Sequence, residues 1–85
     1  MSAGLPPEIR LGNDIARAMR HLPADEAATA VATHVKKFWE PRMRRALAER
    51  VRAGDTRLDP LLVTATLAYL DDQVDRAEVA EPSGG

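Results

Sequence analysis

The chain has no cysteine. That excludes a disulfide staple, a thiolate metal site and a cysteine nucleophile. Aromatic residues are nearly absent as well, with one Phe, one Trp and one Tyr in 85 residues. No apolar run approaches the roughly 18–20 residues that span a bilayer, and the N-terminus lacks a signal-peptide pattern. The reading is a cytoplasmic chain with no membrane segment. Gly4, Gly12, Gly54, Gly84 and Gly85 form no phosphate-binding loop. His21 and His34 stand at no metal-ligand spacing. No stretch alternates apolar and polar residues as a half-buried strand does.

What is present is alanine. Of the 45% hydrophobic residues, 15 are Ala, whereas Leu, Ile, Val and Phe together number 18. Alanine favours helix but buries little area. A chain of this length buries only about 60–65% of its unfolded surface, so one domain is the limit and its core is thin. Ala and the helical periodicity together predict an all-α fold, a small bundle of about four short helices with disordered termini. The single domain is expected over 7–77, with flexible tails at 1–6 and 78–85.

The net charge of −1 conceals a segregation. Residues 36–52 carry +5 and residues 71–81 carry −4. The near-neutral total argues against nucleic acid, while the basic block leaves a local anionic partner open. Asp71, Asp72 and Asp75 read as a solvated acidic helix end rather than a metal cluster.

Proline punctuation divides the chain. Pro7 suits the first turn of a helix running to about His21, with Leu11, Ile15, Ala18, Met19 and Leu22 on one face. A second helix runs from Ala24 or Asp25 to Trp39, capped by Asp25, with Ala28, Val31, Val35 and Phe38 as its stripe. Glu40-Pro41 breaks it. Pro41 starts a third helix, with Met43, Leu47 and Val51 inward, that stops at Gly54. Asp59 caps a fourth, which begins at Pro60 and runs to about Val74.

Catalytic signals are lacking, and a thin bundle can hardly enclose a substrate pocket. Contact with a partner is the remaining mode of action. The densest segment, His34 to Arg45, sets two aromatic residues beside a proline break inside the basic block. Two readings stand. In one, Phe38 plugs the core and the arginines are solvated. In the other, the corner is an interface with Trp39 and Arg42 or Arg45 as anchors, since Trp and Arg are enriched at binding hot spots. His34 is either a boundary histidine bonded locally or a partner contact. The fourth helix shows two stripes. Val63, Leu67, Leu70 and Val74 form one, while Leu62, Ala65 and Tyr69 form another. The second either faces a partner or a second copy, or belongs to one broad buried face. The candidate interface residues are therefore His34, Phe38, Trp39, Arg42, Met43, Arg45, Leu62 and Tyr69, with self-association open for the isolated chain.

The segment Lys37-Phe38-Trp39-Glu40-Pro41-Arg42-Met43-Arg44 resembles the signature of the delta subunit of NAD-dependent, molybdenum-containing formate dehydrogenases. The likeness extends to Asn13-Asp14-Ile15-Ala16, to the alanine-rich run before His34 and to Leu58-Asp59-Pro60-Leu61, covering roughly 9–70. The family has Asp where this chain has Glu40, and Asp is the better N-cap. The resemblance implies a non-catalytic accessory subunit with no cofactor of its own, whose partner is the large molybdenum-binding subunit. That enzyme's molybdopterin and iron–sulfur clusters lie in the large subunit and its flavin and NAD sites in others. Assembly or stability of the complex is the implied role, by permanent binding or by transient help with cofactor insertion. A small helical nucleic-acid-binding or regulatory module is the alternative.

Overall fold

A computed structural model of the chain describes residues 4–70. Four α-helices follow one another: α1 (Pro7–Met19), α2 (Ala24–Phe38), α3 (Pro41–Arg52) and α4 (Pro60–Ala65). A single π-helical turn, Thr66–Leu70, continues α4. Among the described residues there is no strand, and the all-α bundle is as the composition indicates. The expected tail at 78–85, the domain limit at 77, the expected end of the fourth helix near Val74, the acidic Asp71, Asp72 and Asp75, and residues 1–3 of the tail at 1–6 fall outside the described residues.

Proline opens α1, α3 and α4 at the first turn, where its missing N–H leaves no helical bond unmade. Asp59 caps α4, its side chain accepting from Leu61 N at 2.9 Å. Asp25 does not cap α2. That helix begins at Ala24 after Pro23, so Asp25 lies inside the first turn, where its charge still favours the helix dipole. Helix α3 ends in a Schellman motif. Gly54 adopts φ +74, Gly54 N donates to Val51 O at 3.0 Å, and Asp55 N donates to Arg50 O at 3.1 Å.

The core is thin and continuous. Ile9, Val31, Val35, Leu47, Leu62 and Leu70 supply its bulk and are fully or almost fully buried, with alanines between them. Helix α1 packs on α2 and α3, α2 packs on α4, and the π-turn packs on α3 and α2. The buried arc of α1 differs from the expected face. Leu11 and Ala18 are exposed, while Ile9, Gly12 and Ala16 are buried. The reason is Gly12. A Cβ there would lie 2.7 Å from a Leu62 methyl, so the bare glycine backbone is where α4 comes in.

Leu62 is corrected in turn. It is fully buried in the chain's own core, so it offers no partner surface. The two stripes of the fourth helix are redistributed by the π-turn, which takes an extra residue to come round. Leu62, Thr66 and Leu70 thereby share the inner face, while Leu67 and Tyr69 turn outward. Thr66, fully buried, donates its hydroxyl to Leu62 O at 2.7 Å.

Ion pairs fasten the helices at their ends. Arg20, at the C-cap of α1, pairs with Asp59, and Arg50 of α3 donates to Glu8 of α1 at 3.1 Å. Among the described residues no buried side-chain nitrogen or oxygen lacks a hydrogen-bond partner.

Candidate docking surface

The corner between α2 and α3 is built by three consecutive conformational choices. Phe38 closes α2, Trp39 turns extended at φ −97 and ψ 143, and Glu40 stays extended at φ −69 and ψ 152 because Pro41 follows. Glu40 makes no side-chain cap to α3, in keeping with its extra methylene relative to Asp. The turn is held instead by Arg44. Its Nη1 donates to Lys36 O at 3.1 Å and to Trp39 O at 3.3 Å, satisfying carbonyls that the end of α2 leaves open. That clamp was missed in the sequence, although a cation close beyond a helix C-terminus is its usual signature.

The two aromatic residues divide differently from the expected pattern. Trp39 is half-buried and packs against the core. Phe38 is 70% exposed, so it neither plugs the core nor continues the Ala28–Val31–Val35 stripe. The extended turn swings Trp39 inward at the point where Phe38 would have been needed. Phe38 instead stacks on His34, ring centroids 4.7 Å apart and tilted by 43°. An aromatic pair in this geometry holds its own orientation without a core around it.

Arg42 and Arg45 stand exposed on the outer side of α3, with Met43 half-buried beneath them. Neither arginine has an acidic partner among the described residues, and the same holds for the exposed Lys36 and Lys37. Six of the expected interface residues lie along the end of α2, the turn and the start of α3: His34, Phe38, Trp39, Arg42, Met43 and Arg45. Leu62 is in the core. Tyr69 lies elsewhere.

Tyr69 belongs to a second concavity, at the opposite end of α2. An open groove of ≈490 Å³ is lined by Leu22, Asp25, Glu26, Thr29, Ala30 and Tyr69. The Tyr69 ring is 38% exposed, and its hydroxyl lies 3.4 Å from that of Thr29. Asp25 and Glu26 are exposed at the rim with no cationic partner among the described residues. In the sequence these two acids mark only a helix start, because the wall that makes them a rim comes from residue 69.

A smaller hollow of ≈270 Å³ lies between α1 and the end of α3, lined by Glu8, Glu49, Arg50 and Asp55 among others. Two of its acids are paired, Arg50 reaching both Glu8 and Asp55. Arg57 grips Asp55 through Nε at 3.0 Å and Nη2 at 2.8 Å, and the Arg57 backbone N–H also donates at 3.0 Å. The guanidinium and then this N–H hold the Asp55 carboxyl down at about 2, with Arg50 adding a more distant attraction. The same bond raises Arg57 above its ordinary value.

Among the described residues no group of three or more His, Cys, Asp or Glu could hold a metal ion. No helix there is long and apolar enough to cross a membrane.

A model of the family described as NADH-dependant formate dehydrogenase delta subunit FdsD matches residues 9–66. That stretch holds the whole corner, the cap at Asp59 and the Gly12–Leu62 crossing. No curated protein and no solved structure matches the chain.

Proposed function

The chain belongs to the family of NADH-dependent formate dehydrogenase delta subunits, and from that membership we propose that it serves the complex without chemistry of its own, by docking on the large molybdenum-binding subunit. Its work is assembly or stability of the complex, in the cytoplasm, as one domain over 7–77. Permanent binding is favoured over transient help with cofactor insertion, because a thin core gains most from lasting burial of exposed apolar surface.

The observation that supports this reading is the exposed Phe38 at the end of α2, followed across the turn by Arg42 and Arg45, which are exposed and have no acidic partner among the described residues. An aromatic ring left in water beside His34, in a stretch that also exposes arginines, has the composition of a binding hot spot. Among the described residues it stands outside the core cluster. Trp39 supports the corner from within rather than contacting the partner first.

The test is co-purification of tagged variants with the large subunit from cells making the whole complex. Phe38→Ala and the pair Arg42→Glu with Arg45→Glu are expected to lower recovery of the large subunit about tenfold or more. Normal recovery with both, in chains of unchanged helicity, would remove the corner from the interface.

A further inference from the structure

We propose that the isolated chain self-associates head to tail, the Phe38 corner of one copy seating in the Tyr69 groove of the next. The two surfaces are matched in shape and in sign. One is an aromatic ring, 70% exposed, in a stretch that also exposes Lys36, Lys37, Arg42 and Arg45. The other is a concavity of ≈490 Å³ with an apolar floor of Leu22, Ala30 and the Tyr69 ring, rimmed by Asp25 and Glu26. Entry of Phe38 takes its ring out of water, lays it beside Tyr69 and brings Lys37 to the acidic rim. Lys37, Asp25 and Glu26 have no ionic partner among the described residues.

The contact is between molecules by necessity. Both surfaces lie on α2, an unbroken helix of 15 residues. Residues 26 and 38 are separated by about 18 Å along its axis at 1.5 Å per residue. A molecule cannot bring its own corner to its own groove. A corner and a groove on one body make a heterologous interface, which either closes into a ring or continues as a chain.

The pairing uses the ring that docking on the large subunit also requires, so the two states exclude each other, and self-association hides the corner until that subunit is present. It is measured on the purified chain alone, so its failure leaves the docking reading standing.

The experiment is sedimentation equilibrium at low salt, from micromolar to near-millimolar chain. The wild-type mass is expected to rise with concentration above the 9.3 kDa of one chain. Phe38→Ala, which lacks the ring, and Asp25→Lys with Glu26→Lys, which lacks the rim, should each weaken association about tenfold or more. Ala30→Arg blocks the groove by bulk if the reversed rim disturbs the helix start. Mixed together, the corner variant and the groove variant retain one intact corner and one intact groove, and should pair one to one and go no further. A wild-type chain that stays monomeric throughout overturns the proposal. So does association that the variants leave unchanged, or a mixture that fails to pair.

Discussion

Asn13 and Asp59 are joined by the Asn13 side-chain oxygen, which accepts the Asp59 backbone N–H at 2.8 Å across 46 positions of sequence. The same carboxamide donates through Nδ2 to Arg57 O at 2.9 Å. One side chain thus replaces the partners that two backbone groups of the α3–α4 loop would otherwise lack. Asp59, held in place, caps α4 and receives Arg20. Two stretches that look unrelated in the sequence, around Asn13 and around Asp59, are the two halves of one clasp.

Asn13→Ala removes both bonds. A loss of about 1–3 kcal/mol is expected, read as a lower urea midpoint with an unchanged slope. A midpoint equal to wild type would show that water replaces the carboxamide freely.

Gly12 and Leu62 should behave as a coupled pair. Gly12→Val places a branched side chain against the fully buried Leu62 and should cost about 1–3 kcal/mol through overpacking. Leu62→Ala alone should cost about 2–5 kcal/mol. Combined, they should be less damaging than their sum, because the cavity admits the new methyls. Strict additivity would place the two side chains out of contact.

Trp39 and Phe38 should separate stability from binding. Phe38→Ala, at an exposed position, is expected to change stability by less than about 0.5 kcal/mol. Trp39→Ala, which opens the edge of the core, should cost about 1–3 kcal/mol. Thermal unfolding of the two variants distinguishes them, and equal losses would mean that Phe38 is packed after all.

Asp55 sets an acid limit. Its carboxyl titrates at about 2 in the folded chain against an ordinary value of 3.8. The folded state therefore binds the proton less readily than the unfolded one, so this contribution is complete above the ordinary value and is lost as pH falls toward 2. Asp55→Asn should flatten the fall of the thermal midpoint across that window, while leaving the Schellman turn at Gly54 intact. Identical curves for wild type and variant would assign the acid sensitivity to other carboxylates.

Much of the framework was legible in the chain. Pro7, Pro41 and Pro60 each open a helix, Gly54 ends one and Asp59 caps one, because these residues act through their own backbone and the few bonds nearest them. Where the outcome depends on a distant neighbour, the local pattern does not decide it. Ile9, Gly12 and Ala16 join Ile15 and Met19 on the packed side of α1, in place of Leu11 and Ala18, where Leu62 comes in against Gly12. Phe38 is outside and Trp39 inside because of an extended turn that Arg44 clamps from the next helix.

Local chemistry in the sequence determined the helices, their breaks, the thin alanine-rich core and the segregation of charge. Tertiary structure alone decided which sides of those helices meet. A helix with two apolar stripes has no internal means of choosing between them, and here the choice fell to a bare glycine opposite and a π-turn that carried Leu70 inward and Tyr69 out. The same packing put an acidic rim against Tyr69 and left Phe38 in water, so the surfaces available for contact emerged only once the core was filled.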